Sequence, residues 1–297
     1  MSFAFRLPWS RFLFLGLLSH AFWVEIAVAD TMPPRVIEKH GIEFVPIPAG
    51  QFFMGTPPED RKRLEERGWW NRFLQTELPA HRVIISKPFL MGITEVTQGQ
   101  WKHILGNPHE ACAFRDDDRP VDSVSRYDAV RFIKRLNERG PDKFRLPTEA
   151  EWEYCCRAGS WGLFMTAETG QVMNEKDLAE FSWFKGNAKG KTQLVGQKRS
   201  NAWGLRDMLG NVWEWCDDFY DREFYLELES PAIDPRNQRR FSERVIRGGS
   251  WYLPAAYQRA AARGGFAEEK RSPYVGFRLV CEPADASQNI EATSRAK

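Results

Sequence analysis

Three glutamates at alternate positions, Glu149, Glu151 and Glu153, are the first residues whose spacing suggests chemistry, because neighbouring carboxylates can move protons. Their context favours another use. Thr148-Glu-Ala-Glu151 is a capping box: the Thr148 hydroxyl and the Glu151 carboxylate satisfy free N–H groups at a helix start, where acidic residues also suit the helix dipole. The five cysteines, Cys112, Cys155, Cys156, Cys216 and Cys281, contain no CxxC pair and no Cys/His grouping with zinc spacing. On a helix, Cys155 and Cys156 would point about 100° apart, so at most one readily reaches a given partner. The run Asp207-Met-Leu-Gly-Asn-Val-Trp-Glu214 is more informative. An oxygen-rich turn with a carboxylate suits calcium, which also takes backbone carbonyls as ligands. Glu214 could equally cap a turn or pair with an arginine.

The elements that must hold these residues are partly legible. Thr97-Gln-Gly-Gln100 is a second capping box, leading to Trp101, Ile104 and Leu105 and stopped by Gly106. Ser125 caps a helix whose inner stripe is Ala129, Phe132, Ile133 and Leu136, and Gly140-Pro141 ends it. Strands are expected over 41–50, 82–86, 89–93, 245–251 and 274–281. The charged segment 57–79 reads as a surface insertion. Between Arg157 and Arg244 the pattern is irregular, with two regular elements at most.

The 297 residues carry a formal net charge of +2 and no long basic stretch, which argues against a nucleic-acid partner. With 12 Trp, 21 Phe, 22 Gly and 18 Pro, the composition suggests short elements and loops pinned by large side chains. Residues 1–29 read as a secretory signal. Arg6 and Arg11 precede an apolar run, and Ala27-Val28-Ala29 is a cleavage site. Export to the periplasm is expected, with no stable membrane insertion after cleavage; the alternative is an uncleaved membrane anchor, against which His20 and Glu25 in the apolar run argue. Residues 30–40 read as a linker, 41–283 as one domain and 284–297 as a disordered tail.

Four ordered segments carry a resemblance. They are Phe44-Val-Pro-Ile-Pro-Ala-Gly-Gln-Phe-Phe-Met-Gly55 with Glu95-Val-Thr97, then Arg145-Leu-Pro-Thr-Glu-Ala-Glu-Trp-Glu-Tyr154, then Asn201 to Trp215 ending in Gly210-Asn-Val-Trp-Glu-Trp215, and finally Arg247-Gly-Gly-Ser-Trp251 closed by Gly276-Phe-Arg278. Together the chain resembles the formylglycine-generating enzymes, the sulfatase-modifying factors. The resemblance implies an α+β fold related to C-type lectins and poor in regular structure. It also implies a structural calcium held by the Asp207 and Glu214 side chains and the Gly210 and Val212 carbonyls. A second calcium site of the family, just upstream, has lost its acidic ligand in the segment 183–192.

The chain departs from the family where the reaction would occur. The family's two copper-binding cysteines fall at Leu253 and Gln258, and neither side chain is a thiolate. Copper and formylglycine formation are therefore not expected. The three-histidine iron cluster of the sulfoxide-synthase branch has no counterpart either. An exported, cysteine-less branch of the family matures the pyoverdine siderophore by oxidising the dihydropyoverdine chromophore. Kinship with that branch implies a small-molecule or peptide-siderophore substrate, and the sequence names no redox cofactor. On that reading Glu268 and Glu269 are candidate general bases, the alternative being a solvated charge cluster beside Lys270 and Arg271. Arg247, Ser250, Trp251, Tyr257, Gln258, Arg259 and Arg263 would line the substrate cleft, although Arg247 and Arg263 are equally candidates for structural ion pairs. Two other readings stand beside this one: a non-catalytic binding or scaffold protein on the same fold, and a formylglycine generator using Cys155 and Cys156.

Overall fold

A computed structural model describes residues 35–160, 162–163 and 175–284. The signal segment and its cleavage site, and the tail after residue 284, lie outside the described residues. The described residues all belong to one compact unit, Pro33–Lys297.

The chain begins with β1 (Ile37–Lys39), β2 (Ile42–Ile47), β3 (Gly50–Met54), α1 (Pro58–Glu66) and a 3-10 turn at Leu74–Glu77. It continues through β4 (His81–Ile85), β5 (Phe89–Gly92), α2 (Gln98–Leu105), α3 (Arg126–Asn137), β6 (Lys143–Arg145), α4 (Glu149–Arg157) and α5 (Glu175–Phe181). Next come β7 (Trp213–Phe219), α6 (Phe224–Glu227), β8 (Ala232–Ile233) and β9 (Glu243–Arg247). A 3-10 turn at Ala255–Tyr257 then precedes β10 (Arg263–Ala267), β11 (Val275–Gly276) and β12 (Val280–Glu282). Three sheets result, ordered β1-β2-β5-β12-β6, β10-β9-β7-β11 and β3-β4-β8. This is the α+β architecture with modest regular structure that the resemblance implies.

The three helix starts form as the sequence predicts. Thr97, Ser125 and Thr148 each accept a hydrogen bond from the backbone N–H three residues on, and the Gln100, Asp128 and Glu151 side chains each accept one from the cap's backbone N–H. Gly106 ends α2 in the left-handed region. Ala129, Phe132, Ile133 and Leu136 are all buried, so the stripe on α3 packs as expected. Two large rings anchor the core, Trp152 from α4 and Trp215 from β7, both fully buried. Burial of each contributes about 1.5–3 kcal/mol.

Several expectations need correction. The expected linker 30–40 ends in β1, which pairs antiparallel with β2. The charged segment 57–79 is more than a surface insertion, because Leu64 and Leu74 enter the core and Glu77 is buried. The helix from Ser125 stops at Asn137, ahead of Gly140. Among the described residues, the run between Arg157 and Arg244 holds four regular elements, α5, β7, α6 and β8, where two at most were expected. The strand expected over 245–251 breaks after Arg247 because Gly248 and Gly249 take φ of 97° and 78°, a region that favours glycine. The strand expected over 274–281 divides between two sheets: β11 pairs parallel with β7, while β12 sits between β5 and β6.

Candidate functional site

The glutamates of α4 are structural. Glu151 accepts two hydrogen bonds from Arg145, at 2.6 and 2.7 Å, besides closing its capping box. Glu149 accepts from Arg263 Nε and Nη2 at 2.7 Å each, and from Arg247 Nη1 at 3.1 Å. Glu153 accepts from Arg157 Nε at 2.8 Å, from the Gly55 N–H at 2.9 Å and from Arg247 Nη2. Burial pulls the Glu153 carboxyl up, but Arg157 and Arg247 outweigh it and hold the group below the usual range. Arg247 and Arg263 are thus ion-pair partners within the core. The other possibility, that they line a cleft, is corrected by their burial.

Three more of the expected cleft residues are buried. Arg259 is 1% exposed and forms a bidentate pair with Glu77, 2.7 Å at both contacts. Gln258 is fully buried, and its Nε2 donates to the carbonyls of Ser250, Leu253 and Pro254 at 3.2, 3.3 and 3.4 Å. Ser250 is also fully buried. Of the seven, only Trp251 and Tyr257 are half-buried and reach the surface. Three surface clefts, of about 810, 630 and 500 Å³, are lined by none of these residues.

Glu268 is held rather than poised. It accepts from Arg244 Nε and from the Tyr127 hydroxyl at 3.2 Å, with Arg126 Nη1 3.8 Å away. Burial pulls its carboxyl up, yet the Arg244 hydrogen bond and charge, and the Arg126 charge, leave it below the ordinary range. A carboxylate so stabilised is a weak base, which corrects its expected role. Its cluster is not the expected one either, since Arg271 pairs instead with Asp128 at 2.7 and 3.0 Å. Glu269 is exposed.

The turn from Asp207 to Glu214 is a dense polar centre. Asp207, Gly210 and Asn211 all have positive φ. A Cβ at Gly210 would lie 2.2 Å from the Trp183 carbonyl oxygen, so only glycine fits. Glu214 accepts from Arg278 Nε at 2.6 Å and Nη2 at 2.7 Å, and from Trp152 Nε1 at 2.6 Å. Pairing with an arginine was one of the readings of Glu214. Asp207 accepts from the Gly196 N–H at 2.6 Å through Oδ2, while Oδ1 is buried without a partner. Burial first, and the Glu214 charge as well, push the Asp207 carboxyl up to about 6, against the Gly196 hydrogen bond and the Arg278 charge.

Glu95 completes this centre; its segment Glu95-Val-Thr97 carries the resemblance, but no role was assigned to it. It is fully buried with both carboxylate oxygens unpartnered. Burial, then Asp207 and Glu214, push its carboxyl well above the ordinary range. Three carboxylates therefore face one guanidinium, that of Arg278. The residues fit a hard divalent ion, because Asp207 Oδ1 is free and Glu214 Oε1 accepts only one bond. Among the described residues no group of three or more His, Cys, Asp and Glu side chains is placed to hold a metal, so carbonyls such as those of Gly210 and Val212 would have to complete the shell.

All five cysteines are free and buried. Burial pushes the Cys112 and Cys281 thiols up to about 12, and those of Cys155, Cys156 and Cys216 also well up. Copper-binding cysteines need accessible, convergent thiolates, which is the opposite condition. Leu253 and Gln258 stand at the two positions where such thiolates were sought.

The sulfatase-modifying factor enzyme 1-like domain matches residues 30–283. The formylglycine-generating enzyme of Streptomyces coelicolor is 34% identical over 194 residues, covering 62% of this chain and 56% of the enzyme. The chain thus spans little more than half of that enzyme's length. Among solved structures, PvdO from Pseudomonas aeruginosa is 26% identical with a TM-score of 0.71, covering 86% of this chain and all of that one. Treponema denticola variable protein 1 is also 26% identical, with a TM-score of 0.66 and coverages of 85% and 100%. In sequence and in fold, the chain belongs to the sulfatase-modifying factor enzyme 1-like family.

Proposed function

We propose that the protein works in the periplasm on a siderophore chromophore of the pyoverdine type, completing oxidation of the dihydropyoverdine precursor, and that it generates no formylglycine. The observation that carries this reading is the substitution of both thiol positions, by Leu253 and Gln258, in a scaffold that otherwise keeps the family's framework. The likeness to PvdO supports it. The oxidation withdraws two electrons and two protons from the ring system, the electrons passing to dioxygen or another soluble oxidant. Glu269, exposed and adjacent to the committed Glu268, is the better candidate to accept a proton. Calcium at Asp207, Gly210, Val212 and Glu214 would be structural, offsetting the buried negative charge under Arg278. Among the described residues no helix is long and apolar enough to cross a membrane.

The test is genetic and chemical. A deletion strain is expected to secrete the non-fluorescent dihydro precursor, and complementation with the wild-type gene to restore fluorescence. Normal pyoverdine in the deletion strain overturns the reading. A second reading, a non-catalytic binding protein, is favoured by the ion pairs that occupy Glu268. It requires ligand binding without turnover that is insensitive to Glu269→Gln, and a stable partner in a pull-down from periplasmic extract.

A further inference from the structure

The loop that replaces the family's thiol segment carries an unusual surface. Tyr252 is 57% exposed, large for an aromatic ring that is also well supported. It stacks on Tyr274 with centroids 5.8 Å apart and planes at 17°. Trp251 meets Tyr252 edge-on at 5.7 Å and 80°, and Phe114 meets Trp251 at 5.7 Å and 84°. Two rings thus lie nearly parallel, Trp251 stands across Tyr252, and Phe114 in turn stands across Trp251.

This cluster is held rigidly from below. Trp251 donates through Nε1 to the Pro273 carbonyl at 2.9 Å and through its backbone to Asn211 at 2.8 Å. The Gln258 carboxamide ties the Ser250, Leu253 and Pro254 carbonyls together, and the Lys185 N–H bonds Leu253 at 3.0 Å. Gln258 Oε1 and Ser250 Oγ are buried in the same loop without hydrogen-bond partners. Rings fixed in advance lose little entropy when a ligand arrives.

We propose that Tyr252 and Tyr274, flanked by Trp251 and Phe114, form a binding site for one planar aromatic ring bearing hydroxyl groups. The inference rests on the proposed function, for which it names the part of the substrate that docks. The ring stacks on the open face of Tyr252, the face away from Tyr274. Its hydroxyls meet the tyrosine phenols, which both donate and accept. The position of the missing thiol thus serves recognition: Gln258 acts as a positioning residue for the stack.

Calorimetric titration of the purified protein with 6,7-dihydroxyquinoline tests this, with trans-1,2-cyclohexanediol as a non-aromatic control. The quinoline is expected to bind saturably and the diol not to bind. Tyr252→Ala should weaken binding about tenfold, while Tyr252→Phe, which keeps the ring and loses one phenol, should weaken it only about threefold. Because Tyr252 is exposed, both variants should fold, which circular dichroism checks. Absence of quinoline binding by wild type, equal binding of the diol, unchanged binding by Tyr252→Ala, or equal loss in Tyr252→Phe each overturns the site. Normal pyoverdine in the deletion strain would instead overturn the proposed function and leave ring binding standing.

Discussion

Arg247 and Glu153 form an ion pair in which neither side chain has any exposure to solvent. Removing one member of such a pair leaves a charge that water cannot reach. Arg247→Met should therefore lower the free energy of unfolding by about 3–5 kcal/mol, read from urea denaturation. A loss below about 1 kcal/mol would show that Arg157 alone satisfies Glu153.

Glu268 is expected to behave as a latch between the end of β10 and the start of α3. Its folded-state carboxyl lies below the unfolded value, so its contribution to stability is present above the unfolded pKa of about 4.3 and is lost as pH falls through the folded value. Glu268→Gln should cost about 1 kcal/mol near neutrality and nothing in strong acid. Chromophore oxidation should persist in this variant and fall with Glu269→Gln. Loss of turnover in Glu268→Gln at unchanged stability would return the base to Glu268.

Asp218 should make stability depend on pH in the opposite sense. Burial first, and the Glu149 charge next, push its carboxyl up to about 7, against hydrogen bonds from the Glu149 and Asn237 N–H groups. The folded protein then holds a proton that the unfolded chain releases near pH 3.9. Between those values the native state binds more protons, so this term falls as pH rises from about 4 to 7 and is flat beyond. Asp218→Asn should remove that slope in chemical denaturation across the same window. An unchanged slope would place the proton elsewhere.

Calcium should stabilise the protein through the turn at Asp207. At about one hundred times its dissociation constant it should add about 2.7 kcal/mol, seen as a rise in Tm that EDTA reverses. Asp207→Asn should diminish that rise. Identical melting in EDTA and in calcium would leave the protein's own cations, Arg278 foremost, to serve this centre.

Local chemistry was legible in the sequence and distant chemistry was not. The caps at Thr97, Ser125 and Thr148 use residues three apart, so each helix start announces itself. The pair Glu77–Arg259 joins residues 182 positions apart, and no local pattern marks it. Strand β7 escaped for another reason. Its residues are buried on both faces, including Glu214 and Asp218, so no alternation of polar and apolar residues betrays a strand. The arginines at 247, 259 and 263 look like binding residues because fully buried arginines are rare. The stack of Tyr252 on Tyr274 likewise depends on two loops meeting.

Strand β12, near residue 280, occupies an interior place in the five-stranded sheet, and Arg278 just before it brings positive charge to the carboxylates of residues 95, 207 and 214. The sheet and its charge balance therefore stay unfinished until this late stretch of chain has been synthesised and delivered. A nascent chain halted before it carries an open seam between β5 and β6 and carboxylates with no guanidinium. That delay leaves closure of the fold to the last part of synthesis.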